Sequence, residues 1–131
     1  MPRSSYIFIG RTFLLASAAV LGLDGALQLA SPPAIVEALT HVGFAPDIGP
    51  KLAMITLSCA LLLAIPKMAI FGAVITTGFL GGAVCAHLRV GELASPPQLI
   101  CVAIGAGVWI GVVLANPGLA SQILGGEPRT E

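Results

Sequence analysis

Residues 72–91 read GAVITTGFLGGAVCAHLRVG, an apolar stretch that is dense in small residues and carries a histidine and an arginine near its end. A run of about 20 mainly apolar residues is long enough to cross a membrane as a helix. Gly78, Gly82 and Ala86 recur every fourth residue, which places them on one helix face that another backbone can approach closely. The stretch therefore predicts a membrane-spanning helix with one face of small residues.

The composition of the whole chain also indicates a membrane protein. Of its 131 residues, 56% are apolar and 9% are charged, and the mean hydropathy is +0.99. A soluble domain usually carries about a quarter charged residues, so these charges are too few to cover a water-facing surface. We therefore expect the chain to lie in a lipid bilayer. The formal net charge is zero, which argues against a nucleic-acid partner.

Apolar segments and helix-breaking residues divide the chain into four predicted spans, at residues 12–30, 51–65, 68–88 and 98–115. Ser31-Pro32-Pro33 ends the first span and begins an interfacial helix over residues 32–42. We predict an all-α fold, an integral membrane four-helix bundle with this short interfacial helix between spans 1 and 2. Residues 1–118 form the single four-span domain, and residues 119–131 are predicted to be a disordered tail.

Two spans carry a repeated pattern of small residues. The predicted helix-packing positions are Gly78, Gly82 and Ala86 on the third span and Gly107 and Gly111 on the fourth. Such faces bring helices together in lipid, where no hydrophobic driving force acts between them. Packing within the chain is the favoured interpretation, and the seam of a homo-oligomer is the alternative.

The basic residues predict which side of the membrane each end faces. Four spans place both termini and the turn at Lys67 on one side. The basic residues on that side are Arg3, Arg11, Lys67 and Arg129, against Lys51 and Arg89 on the other. Because positively charged loops stay in the cytoplasm, we expect both the N-terminus and the C-terminus to be cytoplasmic.

Polar residues collect at the outer end of the predicted bundle. Asp24 lies late in the first span. Because burying an acid inside a membrane is energetically costly, such a residue is expected to be paired or to serve a function. Five residues are candidates for ligand binding or proton handling: Asp24, Gln28, Lys51, His87 and Arg89. The alternative is structural, with Asp24 held by one of the other four and with His87 and Arg89 as residues of the membrane interface.

The sequence shows no metal site and no built-in cofactor. Cys59, Cys85 and Cys101 form no CxxC motif and no Cys/His ligand spacing, so we interpret them as small packing residues. The sequence does not decide whether Cys85 and Cys101 form a disulfide. No haem or iron–sulfur ligation pattern is visible, so a redox cofactor would belong to a partner protein or be a diffusible quinone.

The turn before the third span and the span itself resemble the DoxX-like family of small bacterial membrane proteins. The matching motifs are Pro66-Lys67, Gly72-Ala73, the run TGFLGGA at residues 77–83 and His87-Leu88-Arg89. The resemblance implies a four-helix membrane bundle in the bacterial cytoplasmic (inner) membrane. Relatives tend to carry a basic residue at the position of Gln28 and an acidic one early in the second span, where this chain has Thr56.

The residues and the resemblance leave four functions open. The first is an accessory or quinone- or lipid-binding subunit of a membrane redox system, because the family name derives from a subunit of a thiosulfate:quinone oxidoreductase. The second is a small proton-linked transporter or lipophile-binding protein, which at this length would need a homo-oligomer. The third is a cofactor-free membrane enzyme that uses Asp24 and His87 as acid and base. The fourth is a structural bundle that stabilises a membrane redox partner protein. The first and the last are favoured, and whether the chain is an enzyme is undecided.

The orientation is tested by single-cysteine labelling in a background that lacks the three native cysteines. Asp47→Cys, in the predicted outer loop, should react with a membrane-impermeant maleimide added to intact cells. Lys67→Cys, in the predicted inner turn, is the control and should react only after the cells are opened. Protection of position 47 together with labelling of position 67 in intact cells would contradict the predicted orientation and indicate the opposite one.

Overall fold

The computed structural model describes residues 3–123 and 125, and most of this part of the chain is helical. The helices are α1 (Arg3–Ala30), α2 (Pro33–His41), α3 (Gly49–Ala64), α4 (Ala69–Arg89), α5 (Pro96–Ala115) and α6 (Pro117–Ile123). The described residues contain no β-strand, so the all-α prediction is confirmed.

Three of these helices, α1, α4 and α5, are long and apolar enough to cross a membrane. The apolar α3 is shorter, with 16 residues, or about 24 Å at 1.5 Å per residue. Large apolar side chains are exposed on the outside of the helices, among them Phe8, Leu23, Met54 and Phe71. A surface of this kind belongs in lipid, and the fold is therefore a helical membrane bundle.

Helix α1 extends further towards the N-terminus than the predicted span of residues 12–30, and its described part reaches Arg3. The intervening residues contain no proline, and the side chain of Arg11 is exposed. A charged residue marks the edge of a membrane, but it does not end a helix. The 28 residues of α1 span about 42 Å, more than the roughly 30 Å of the hydrocarbon core.

Helices α1, α3, α4 and α5 pack in a ring. Helix α1 packs against α3 and α5, and α4 packs against the same two helices. The core contains mainly aliphatic side chains, and its members include Leu14, Leu21, Leu63, Val108 and Val112. The ring brings the end of α1, the start of α3, the end of α4 and the start of α5 to one end of the bundle, where α2 also lies.

Small residues of α5 make a close contact with α1. A Cβ atom at Gly111 would lie 2.9 Å from Leu14 Cγ and 3.0 Å from the carbonyl oxygen of Gly10. A Cβ atom at Gly107 would lie 3.6 Å from Ser17 Oγ. Close backbone approach therefore joins α1 and α5.

The small face of α4 is different. A Cβ atom at Gly78 or Gly82 would meet no atom of the described residues within 4 Å. The close contact predicted for the two glycines of this face is not made among the described residues, because Ala69, Ala73 and Leu80 are the α4 residues that turn into the core. Gly78, Gly82 and Ala86 line a cavity instead. The homo-oligomer seam stays a prediction.

The last described helix overlaps the segment that the sequence predicts as a disordered tail. Residues 119–123 of that segment belong to α6, which begins at Pro117, a position where proline is tolerated. The remaining residues of the predicted tail, 124 and 126–131, lie outside the described part of the chain.

The contact between α1 and α5 can be tested with alanine substitutions. Gly111→Ala should lower the stability of the bundle by about 1–3 kcal/mol, because the added methyl group overpacks against Leu14 and the Gly10 backbone. Gly81→Ala is the control, since a Cβ atom there meets nothing within 4 Å. That variant should be neutral or gain up to about 1 kcal/mol from helix propensity. Thermal unfolding in detergent measures both, and equal stability of the two variants would contradict the packing.

Candidate functional site

Helix α2 covers the end of the bundle at which the polar residues collect. Its N-terminus carries proline in the first turn, where the missing N–H costs nothing. Leu39 and Val42 line the cavity below α2, whereas Glu37 and His41 are exposed on the other side. Helix α2 is thus amphipathic, as its predicted interfacial position requires.

The cavity lies between α1, α4 and α5 and has a volume of about 570 Å³. Ligand pockets in proteins usually measure about 300–1,000 Å³. Its walls are mainly apolar and include Val20, Phe79, Ile100, Cys101 and Ile104. Three polar side chains also line it, namely Asp24, Gln28 and His87. The cavity therefore combines apolar walls with a polar end.

The polar end is organised by a chain of hydrogen bonds from α1 to α3. Gln28 Nε2 donates to Asp24 Oδ2 over 2.7 Å. Thr56 Oγ1 lies 3.1 Å from Gln28 Oε1 and 3.0 Å from the carbonyl oxygen of Leu52, so its single hydrogen is shared between these two acceptors. Both Gln28 and Thr56 are buried, and the position of the Asp24 carboxyl group is fixed by this chain.

Asp24 keeps one oxygen free for another partner. Its Oδ2 accepts the Gln28 hydrogen bond, and Oδ1 has no hydrogen-bond donor among the described residues. The side chain is half-buried and lines the cavity. A buried carboxyl group strongly favours a hydrogen-bonding or charged partner, so Oδ1 offers a bonding position to a molecule inside the cavity.

The two basic candidates lie outside the cavity. Lys51 Nζ is 3.4 Å from Asp47 Oδ2, and both side chains are exposed. Arg89 Nη2 donates to the carbonyl oxygen of Val42 over 2.7 Å, which ties the end of α4 to the end of α2. Of the five predicted candidates, the structure therefore brings together Asp24, Gln28 and His87 around one cavity and leaves Lys51 and Arg89 apart.

His87 belongs to a bridge between α2 and the loop from α4 to α5. Its Nδ1 lies 2.6 Å from Glu92 Oε2, and His41 Nε2 lies 2.7 Å from Glu92 Oε1. An ionised carboxylate only accepts hydrogen bonds, so both rings donate to it. No hydrogen bond joins His87 to Asp24 in the described part of the chain, although both line the cavity.

The loop is shaped so that Glu92 reaches both histidines. Gly91 has φ of 82° just after the end of α4, a left-handed conformation that glycine adopts without strain. Gln98 Oε1 accepts a hydrogen bond from the Ser95 N–H over 2.9 Å. The Gln98 amide nitrogen lies 3.4 Å from the carbonyl oxygen of Glu92, so the start of α5 holds the loop in place.

The histidine bridge changes the electrostatics of Glu92. Hydrogen bonds from His41 and then from His87 stabilise the carboxylate and lower the pKa of Glu92 from an ordinary 4.5 to about 2. The carboxylate is 28% exposed, and it lies in the loop, outside the predicted spans.

A second, shallower depression lies on the outer side of α2. This outer groove runs between α2 and the loop from α4 to α5 and has a volume of about 1,020 Å³. It is lined by Glu37, His41 and Glu92. His87 and Pro97 line both the outer groove and the cavity, so the two depressions adjoin at these residues.

Sequence reasoning missed two residues of the site. Thr56 is fully buried in α3, and the signal was a hydroxyl group in a mainly apolar helix. Glu92 follows His87 by one helical turn and a glycine, but its second partner, His41, is distant in sequence. The contact between Glu92 and His41 has no local signal.

The cysteines form no bridge. Cys59, Cys85 and Cys101 are all free thiols. Cys59 is buried in the core, which agrees with a packing role, and Cys85 is exposed. Cys101 lines the cavity. The described residues contain no cluster of His, Cys, Asp and Glu side chains that could hold a metal ion.

Comparison with known proteins places the chain in a family. The model of the DoxX-like family matches residues 12–111, from α1 into α5. The chain belongs to the DoxX-like family. The match extends the resemblance from residues 65–92 to the helices that build the cavity. No curated protein and no solved structure matches the chain. Membership of the DoxX-like family indicates a small membrane protein, and the ligand has to be argued from the site.

The pH dependence of the histidine bridge is testable. Because the folded pKa of Glu92 lies below its ordinary value, the stabilisation it provides is fully present above pH 4.5 and is lost as the pH falls towards 2. In detergent at pH 4.5–6, the melting temperature of wild type should therefore be higher than that of Glu92→Gln. The difference between the two melting temperatures should shrink as the pH falls from 4.5 to 2. Glu37→Gln, an exposed acid on α2, is the control and should match wild type. A difference that already closes above pH 4.5 would contradict the bridge.

Proposed function

We propose that this DoxX-like protein binds one lipophilic molecule in the cavity between α1, α4 and α5. It would do so as an accessory subunit of a redox system in the bacterial inner membrane, with a quinone or a lipid as the candidate ligand. The observation that carries the proposal is the cavity itself, in which apolar walls and a polar end meet below α2.

The small face of α4 supports a flat or chain-like apolar ligand. Gly78 and Gly82 leave open space where side chains would otherwise project, and Phe79, Ile100 and Ile104 provide apolar walls around it. Burial of an apolar ligand is favourable by roughly 25 cal/mol per Å², although a ligand that leaves lipid gains less because lipid is itself apolar. Shape complementarity to the glycine face would then determine which molecules are retained.

The polar end supports a ligand with a polar head. Gln28 donates one amide hydrogen to Asp24, and its carbonyl oxygen faces Thr56, so Asp24 Oδ1 is an acceptor that remains for the ligand. His87 stands at the junction with the outer groove, where it would contact a head group that extends towards water. A reduced quinone or a lipid head, whose hydroxyl group can donate to Asp24 Oδ1, matches this division into an apolar body and a polar end.

The accessory role is proposed because the DoxX-like sequence carries no electron-carrier motif of its own. A redox reaction would therefore depend on a partner protein or on a diffusible quinone, and the chain would hold the lipophile near that partner. A structural bundle that stabilises a partner is the competing function. It requires the partner but no small molecule.

Two glycine variants test the cavity. Gly82→Leu would fill it, because position 82 lines the cavity and offers open space. Gly81→Leu is the matched control, since position 81 is equally open but does not line the cavity. Mass spectrometry of purified protein should detect a lipophile retained by wild type and by Gly81→Leu, and reduced at least about tenfold in Gly82→Leu.

The outcomes separate the two functions. Equal retention of the lipophile by all three proteins would place it outside the cavity and overturn the proposal. A co-purified protein with no small molecule in wild type would favour the structural bundle. Circular dichroism and size-exclusion chromatography of both leucine variants would show that any loss is not caused by unfolding.

A further inference from the structure

We propose that the cavity selects a lipophilic amine, with its ammonium group paired to Asp24 and its apolar body lying along the glycine face of α4. The inference rests on the proposed function, since it requires that the cavity bind a lipophile, and it specifies the chemistry of the head group. It follows from the charges that surround the cavity and the outer groove.

The first observation is that Asp24 has no cationic partner in the described part of the chain. Its hydrogen bond comes from Gln28, which is a neutral amide. A carboxylate that is taken out of water is destabilised unless an opposite charge or several donors compensate it. An ammonium group supplies both the opposite charge and up to three donors, and Asp24 Oδ1 is open to the cavity.

The second observation is where the basic residues lie. Lys51 is paired with Asp47 at the exposed surface, and Arg89 is bonded to the backbone of Val42. Arg3 and Arg11 lie in the N-terminal part of α1, and Lys67 lies in the turn between α3 and α4 at the opposite end of the bundle. No lysine or arginine of the described residues lines the cavity or the outer groove.

The third observation concerns the approach to the cavity. The outer groove adjoins the cavity at His87 and Pro97, and it carries the carboxylates of Glu37 and Glu92. Glu92 is bonded to two histidines, whereas Glu37 is exposed on α2. Acidic groups that line a groove attract cations to it from solution. The groove and the cavity, which adjoin at His87 and Pro97, thus both present carboxylates.

At Asp24 the same geometry disfavours a head group that only accepts hydrogen bonds. Asp24 in its ionised form has no hydrogen to donate, and the Gln28 amide hydrogen that faces it is already bonded to Oδ2. A neutral alcohol would donate one hydrogen bond to Oδ1 without compensating the charge. An amine with the same apolar body would do both, so it should bind more tightly.

Two probes with one apolar body test the inference. Adamantylamine and adamantanol share the same cage and differ in an ammonium or a hydroxyl group at neutral pH. Isothermal titration into protein in lipid nanodiscs, with empty nanodiscs as the blank, should show the amine binding wild type at least about tenfold more tightly than the alcohol. Asp24→Asn keeps an acceptor for the Gln28 hydrogen bond, and it should remove this preference. Asp47→Asn removes an exposed acid at the same end of the bundle and should retain it.

The results distinguish the inference from the function on which it rests. Equal binding of the two probes to wild type, lost in Gly82→Leu, would keep the cavity as a lipophile site and overturn the selection of amines. An amine preference that persists in Asp24→Asn would overturn the assignment to Asp24. Tighter binding of a short-chain benzoquinone than of the amine would also overturn the inference and keep the quinone candidate. Absence of binding by the amine, the alcohol and the quinone would overturn the inference, whereas the proposed function is decided by the lipophile retained in the glycine variants.

Discussion

Close backbone contact between α1 and its two neighbours sets the shape of this bundle. In lipid, helices are held by packing and not by exclusion of water, so the positions at which backbones approach decide where the bundle is closed. A Cβ atom at Gly25 would lie 3.3 Å from the backbone nitrogen of Leu57 in α3, and one at Gly111 would lie 3.0 Å from the carbonyl oxygen of Gly10. The glycines of α4 at positions 78 and 82 make no such contact. The bundle is therefore tight around α1 and open beside the middle of α4, which is why a cavity exists there.

The elements of the fold could be predicted from the sequence because their signals are local. Apolar length identified the spans, and Pro32-Pro33 identified the short helix that runs over Pro33–His41. Whether a given helix face lies against another helix or against a cavity could not be predicted. Gly78, Gly82 and Ala86 mark a face by their spacing, but the same spacing serves a helix contact or a cavity wall. Helix α1 extends beyond the predicted span for a related reason, since the charge at Arg11 indicates a membrane boundary and not a helix boundary.

The sequence predicted at which end of the bundle the candidate site residues lie, but not which of them contact one another. Asp24, His87 and Arg89 were correctly expected near one end of the bundle, yet only the first two line the cavity. Arg89 turns to the Val42 carbonyl, because rotation about a helix axis, which the sequence does not determine, sends neighbouring residues in different directions. The hydrogen bond between Gln28 and Thr56 joins α1 to α3 without charge. The polar end therefore keeps a single carboxyl group where an ion pair would have neutralised it.

The bridge of His41, Glu92 and His87 divides the molecule into two parts that respond to different surroundings. The spans are held by apolar and backbone contacts, which depend on the thickness and composition of the bilayer. Helix α2 is held over the cavity by polar groups that include an exposed histidine, at 62%, and a partly exposed carboxylate. Those bonds depend on the acidity and ionic strength of the adjoining water. The position of α2 over the cavity thus depends on the aqueous phase, whereas the packing of the helices that form the cavity depends on the lipid.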